Sequence, residues 1–223
     1  MHITNMLIKY MNNVISTILK TYLTNPLIIA ILILGLISAI FYKQIVGWFG
    51  EQWTRKALSK LPKSKYKIIN DLFISVNGFT HQIDHVVISP YGIFCIETKQ
   101  YNGFITGKKY DKKWIRYVGN KKYYYENPIR QNYGHCKALA ELLKIDESMI
   151  YNIVCISSKA KLKIIHDGEL VSDESIVDKI LSYDKVIIGD TDDIYNTLIQ
   201  NNIKDKNIKK EHIKRIKNNK KDE

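Results

Sequence analysis

Asp84, Glu97 and Lys99 are the residues of this chain whose types and spacing can do chemistry together. Glu97 and Lys99 stand two apart in the run 93–99, so in a strand both project from one face. Asp84 lies in the preceding run, 82–89, and the turn Pro90-Tyr91-Gly92 folds that run back beside them. Each charge ends an otherwise apolar stretch, where an ordinary core strand would carry none. Two carboxylates and an amine at one sheet edge make a compact site for a hard divalent cation, Mg²⁺ or Mn²⁺. The expected metal ligands are Asp84, Glu97 and the backbone carbonyl of Thr98, with positions left open for water and a phosphate oxygen. Lys99 is expected to orient or help deprotonate the water, or to neutralise charge on the phosphate.

Other candidates carry less. Strand alternation turns His85 away from Asp84, toward the core or toward a supporting role. His81 falls in the turn region at the surface, and His135 reads as a packing residue more than a cleft residue. Cys95, Cys136 and Cys155 are scattered without a CxxC spacing, which excludes a zinc ribbon or a disulfide framework. Cys136 has no base partner for nucleophilic catalysis. Lys108, Lys109, Lys112, Lys113, Arg116, Lys121 and Lys122 interleave with Tyr110, Trp114, Tyr117 and Tyr123 to Tyr125. That pattern fits a surface that tracks a nucleic-acid backbone and stacks bases. It equally fits a hairpin with a polar face and aromatic cross-strand pairs.

The elements that must position these residues follow from periodicity and punctuation. A helix is predicted over 47–61, closed by Pro62. Strands are predicted over 66–76 and 82–89, joined by the Asn77-Gly78 hairpin signal, and over 93–99. Further strands are expected over 103–109, 114–118 and 121–125. Asn127-Pro128 is a start signal for a helix over 129–144. A strand over 151–157, a helix over 173–181, a strand over 185–188 and a helix over 191–201 complete the pattern. The fold class is α/β, one mixed β-sheet flanked by helices.

The sequence carries 34 Lys and Arg against 22 Asp and Glu, a formal net charge of +12. Such an excess suits nucleic acid, DNA before RNA, or an anionic lipid surface; a lysine-rich coding bias gives the same balance. The uncharged run 27–42 approaches the roughly 20 residues that cross a bilayer core. It starts late and leads to Trp48 and Phe49, unlike a cleaved signal peptide. Lys9 and Lys20 precede it, whereas Lys43, Arg55, Lys56, Lys60, Lys63, Lys65 and Lys67 follow. The charge bias predicts a single-pass protein of the cell membrane with its C-terminal body in the cytoplasm. The expected organisation is an amphipathic segment 1–25, a transmembrane helix 26–46, a domain 47–202 with core 47–140, and a basic tail 203–223. The tail reads as a basic helix suited to phosphates or anionic headgroups.

The acidic residue followed by Glu-x-Lys resembles the signature of the restriction-endonuclease-like superfamily. More narrowly, the chain resembles the nuclease-related domain family, often called NERD. The matching residues are Gly47-Trp48-Phe49-Gly50-Glu51, Leu61-Pro62, Gln82-Ile83-Asp84-His85, Gly92-Ile93-Phe94, Ile96-Glu97-Thr98-Lys99, Gly103, Trp114, Asn127-Pro128 and Gln131. They run in family order over roughly 47–140. The resemblance implies a restriction-endonuclease-like fold and a metal-dependent nuclease. It adds Glu51 as a further ligand or water-positioning group, and Gln131 as a contact to the phosphate or the metal-bound water. A catalytically silent module binding nucleic acid or a partner on the same fold stays open beside it.

Overall fold

The computed structural model describes residues 2–219; Met1 and residues 220–223 of the expected tail lie outside them. The chain divides into two compact units, Met1–Val46 and Gly47–Glu223.

The first unit holds α1 (His2–Thr24) and the start of α2 (Pro26–Leu58). Pro26 has no N–H to donate to a preceding turn, and the Asn25 side chain accepts from the amides of Leu27 and Ile28. A new helix therefore begins there. Among the described residues no single helix is long and apolar enough to cross a membrane. This corrects the expectation of one crossing helix over 26–46. The uninterrupted apolar stretch is Pro26–Tyr42, ended by Lys43 and short of the usual span. Ile3–Thr24 and Pro26–Tyr42 meet the requirement only as a pair, bent by 69°. Large apolar side chains along both, Leu7, Leu19, Leu32 and Leu36 among them, are exposed.

The second unit is a mixed α/β body with two mixed sheets rather than the one expected. The first sheet takes β1 (Lys67–Val76), β2 (Phe79–Ser89), β3 (Gly92–Lys99), β7 (Ile150–Ile156) and β9 (Leu170–Ser172), in that order. β1, β2 and β3 form an antiparallel meander, and β7 and β9 extend it in parallel. The first turn needs left-handed backbone at two successive positions; Asn77 (φ 49°) and Gly78 (φ 77°) supply it. The second sheet orders β6 (Lys121–Glu126), β5 (Lys113–Val118), β4 (Gly103–Lys108) and β8 (Ala160–Ile165), with β4 and β8 parallel.

Alternation along β3 feeds two cores. Ile93 and Cys95 pack with Leu139 of α3 (Pro128–Leu143) and Leu198 of α5 (Thr191–Gln200). Phe94 and Ile96 pack with Leu58 of α2 and with Ile176 and Ile180 of α4 (Ile176–Leu181). The central sheet is thus covered on both faces, which explains why its strands read as near-continuous apolar runs. A third core lies on one face of the second sheet, around Ile105, Trp114, Ile129, Val154 and Ile156. Gly107 makes room there: a Cβ at that position would stand 2.3 Å from the Trp114 ring.

Two boundaries shift. The strand expected over 185–188 does not form, because the amides of Ile187 and Ile188 both donate to the single carbonyl of Pro90. The helix expected from 173 begins at Ile176. The tail carries α6 (Lys206–Asn219), whose Lys209 pairs with Asp71 at 3.1 Å and whose His212 packs edge-on against Phe73. Part of the basic tail is therefore committed to covering the exposed side of β1.

Asn127 ties the layers together. Its buried side chain caps α3 by accepting from Ile129 N, at 2.9 Å, and Arg130 N. Its amide donates to the carbonyls of Lys108, Lys109 and Asp111. Asn127→Asp keeps the cap but turns a second carboxylate oxygen toward three carbonyls. Both Asn127→Asp and Asn127→Ala should therefore lower stability by about 2–4 kcal/mol, a cap plus an unsatisfied buried cluster. Urea unfolding checks this; an Asp variant as stable as the parent would show that only the cap matters.

Candidate active site

β3 runs between β2 and β7 with its first six residues buried, and its last residues emerge at the rim of the sheet. The β2–β3 register ends at His85 opposite Ile96. One step further along the same register, Asp84 stands opposite Glu97. The backbone ladder hands over to a side chain at this point, with Thr98 N donating to Asp84 Oδ2 at 2.8 Å. Strand alternation then puts Glu97 and Lys99 on the α3 side of the sheet.

Glu97 is only 4% exposed, an unusual place for a carboxylate. Its Oε1 accepts from Lys99 Nζ at 2.5 Å and from Gln131 Nε2 at 2.8 Å. Its Oε2 lies 3.8 Å from His135 Nε2, which is buried with no hydrogen bond. Gln131 and His135 stand one helical turn apart on α3, so one helix face supplies both. His81 lies in β2, not in a surface turn, and stacks edge-on against His135 with ring centroids 5.6 Å apart. Burial holds His135 near pKa 4, against the upward pull of Glu97, so it faces the carboxylate as a neutral ring.

The charges crowd. Burial raises the Asp84 carboxyl well above its ordinary value, and the Glu97 charge raises it further, against the Thr98 N–H bond. Burial also raises Glu51, helped by the charges of Asp71 and Glu97. Burial alone would lower Lys99, yet the Glu97 carboxylate beside it leaves the ammonium more strongly protonated than usual. Lys99 is thus suited to neutralising charge and not to taking a proton from water. That narrows the roles expected of it.

The structure brings Asp84, Glu97, Lys99 and Gln131 together, with Glu51 within electrostatic reach. Thr98 stands between them with its Oγ1 buried and unpartnered. Among the described residues no group of three or more His, Cys, Asp or Glu side chains is placed to hold a metal. His85 turns to the opposite face, as alternation requires, and bonds Asn70 at 2.7 Å.

The seven basic residues expected to track nucleic acid do not form one surface. Lys109 is tied to Asp167 and Glu169. Arg116 lies over the rings of Tyr123 and Tyr125, on the packed face of the second sheet. Lys121, four residues from Tyr125 along β6, shares that side, whereas Lys113 and Lys122 project from the other. Lys108 ends β4, and Lys112 lies in the loop before β5. A cavity of about 290 Å³ opens beside the carboxylates, lined by Lys99, Tyr101, Lys113, Tyr124, Tyr125, Glu126 and Gln131. Tyr101 was missed from sequence, although it continues the alternation of Glu97 and Lys99 past the end of the strand.

The family model described as nuclease-related domain matches residues 46–157. An uncharacterised protein of Bacillus anthracis is 33% identical over 205 residues, covering 86% of this chain and 94% of that protein. No solved structure matches the chain.

Asp84 gives a stability test. A carboxyl whose folded pKa is raised stabilises the fold where it is protonated, and that stability is lost as pH climbs from its ordinary value through the raised one. In chelator, Asp84→Asn should abolish this loss, since Asn keeps an acceptor for Thr98 N and sheds the charge. Its melting temperature at neutral pH should equal or exceed the parent's, by about 2–4 °C per kcal/mol relieved. A variant that melts lower at neutral pH would show that the Asp84 charge stabilises the fold.

Proposed function

The chain belongs to the nuclease-related domain family, and we propose that it is a divalent-metal-dependent phosphodiesterase acting on nucleic acid, DNA before RNA. One observation carries the reading: two carboxylates, Asp84 and Glu97, meet across β2 and β3 at the rim of the sheet, beside a lysine that stays charged.

The donor set suits Mg²⁺ or Mn²⁺. Mg²⁺ is commonly held by one or two carboxylates, with waters and substrate phosphate filling its other positions. The mutual repulsion of Asp84, Glu97 and Glu51 is the condition a cation relieves. Asp84 and Glu97 would hold the ion, with the Thr98 carbonyl completing the protein's share. Bound there, the ion would supply Lewis-acid activation of water and charge stabilisation at phosphate. Lys99 places its ammonium where charge builds on the phosphate oxygens. Gln131 fixes the Glu97 rotamer and offers an amide to the phosphate or the attacking water. Neutral His135 closes the far side of Glu97 and keeps solvent from it. Glu51 stands ready to orient a water.

A restriction-endonuclease-like origin of the meander and its following helix fits the same reading. The domain 47–202 would then be the nuclease body, and the N-terminal unit would hold it at a membrane. What supports the tether is the exposed apolar surface of the bent pair, with lysines concentrated after it to keep the body cytoplasmic. A silent binding module has one observation in its favour: Glu97 Oε1 is already engaged by Lys99 and Gln131.

Cleavage separates the two. The full chain should cut labelled DNA with Mn²⁺ or Mg²⁺ and stop in EDTA. Asp84→Asn, Glu97→Gln and Lys99→Ala should each lower the rate by about 100-fold or more while binding persists. Absence of scission across both metals, or full activity in these variants, would leave only the binding module. In cell fractions the chain should sediment with membranes and resist carbonate extraction; recovery in the soluble fraction would remove the tether.

A further inference from the structure

One face of the second sheet packs on the core and the other does not. Ile105 and Trp114 point inward. The residues between them in register point outward, and the ladder aligns them in rows across all four strands. One row runs Lys122, Tyr117, Phe104, Lys161, each directly opposite the next. The next row runs Tyr124, Ile115, Thr106, Lys163. Phe104 is 40% and Tyr124 66% exposed, far from the burial expected of rings in a sheet. The Phe104 and Tyr117 rings lie 6.0 Å apart, and Lys122 Nζ sits 5.7 Å from the Tyr117 ring.

Each row thus sets aromatic surface at its centre and ammonium groups at its rim. We infer that this outward face of the second sheet binds single-stranded nucleic acid, stacking bases on Phe104, Tyr117 and Tyr124 and holding phosphates with Lys122, Lys161 and Lys163. Charge complementarity names the occupant's sign and the rings name its chemistry, because each base offers a π-face whatever its identity. A duplex hides those faces. The spacing also selects: rows two residues apart along a strand are about 7 Å apart, against a rise of about 3.4 Å per stacked base. Bases spread over such rows are already unstacked.

The face is continuous with the candidate site. The 290 Å³ cavity is lined by Lys113 and Tyr124 from the sheet and by Lys99 and Gln131 from the carboxylate cluster. A strand lying across the rows enters that cavity at the edge of β6 and delivers its phosphate beside Lys99. This step rests on the phosphodiesterase reading and names its substrate as a single strand or a frayed end; the binding face itself does not depend on it.

The test uses the full chain in detergent, in EDTA so that nothing is cut, with fluorescence anisotropy of labelled oligothymidine of about 20 nucleotides and of a duplex of equal length. The single strand should bind at least about tenfold tighter. Lys161→Gln with Lys163→Gln should weaken it about tenfold or more and flatten the salt dependence by about 1 in log–log slope. Phe104→Ala with Tyr117→Ala should weaken it similarly at unchanged slope. The lysine pair is exposed, so its variant tests the face even where the ring variant disturbs folding. Equal or tighter duplex binding, or lysine variants that bind like the parent, would overturn the inference. So would a lysine variant that loses only its hold on phosphatidylserine vesicles. Binding as expected with no scission in Mn²⁺ would defeat the phosphodiesterase and leave the face standing. Scission with unaltered binding in the variants would do the reverse.

Discussion

A carboxylate buried at the end of a central strand is the constraint around which the second unit is arranged. Glu97 has given up most of its water, and an uncompensated charge there would cost several kcal/mol. The compensation comes from three directions. Lys99 answers from two residues along the same strand, Gln131 from the first turns of α3, and His135 packs a neutral ring one turn further on. Each contact needs its element in register. The Asn127 cap fixes where α3 starts, and Asn132 pins the same helix to the sheet through the carbonyls of Cys95 and Ile153. A helix displaced by one residue would turn both Gln131 and His135 away from Glu97.

The same arrangement leaves a debt of repulsion that packing does not settle. Asp84 stands opposite Glu97 with its acidity suppressed, and Glu51 feels both Asp71 and Glu97. Only one ammonium, that of Lys99, is bonded into the cluster. A structural ion pair would be balanced one for one and could be replaced by apolar residues of similar volume with little loss. Surplus negative charge at the rim of a sheet, next to a cavity, is instead the arrangement expected where a cation and a phosphate are to be received together.

The first half of the second unit was legible because its signals are local. Asn77-Gly78, Pro90-Tyr91-Gly92 and Asn127-Pro128 punctuate runs whose periodicity is clear, and β1 to β3 and α3 follow within a residue or two. Strand alternation alone was enough to set Glu97 and Lys99 on one side of the sheet and His85 on the other. Signals failed where pairing is long-range. β8 and β9 form by parallel pairing with β4 and β7, so no adjacent turn announced them. The run 185–188 had strand composition but found one carbonyl and no partner strand. The basic stretch 108–122 was read as one surface because its residues are neighbours in sequence. In a sheet neighbours point to opposite sides, so Arg116 went to the packed face while Lys113 and Lys122 went outward. The first unit shows a third limit. Composition gave its apolar length, but the proline that divides that length into two helices decided its geometry.

The two sheets divide the labour that any phosphodiester chemistry requires. A reacting centre has to be rigid and partly dry, since misplacement by about 1 Å costs orders of magnitude in rate. The first sheet meets that need, covered on both faces by helices and holding its charges at a strand end. Gripping a long, flexible polyanion asks for the opposite: an open surface, tolerant of sequence, wetted and cationic. The second sheet has one packed side and one bare side, which is the form that antiparallel strands allow and a fully buried parallel sheet does not. Gly103, at φ 82°, starts the strand that follows the site, so the chain passes from one sheet into the other within four residues of Lys99. So short a connection leaves little freedom between the two sheets. A strand held on the bare face therefore meets the carboxylates at a fixed offset, and where it is cut is set by the backbone between Lys99 and Gly103 more than by any base it carries.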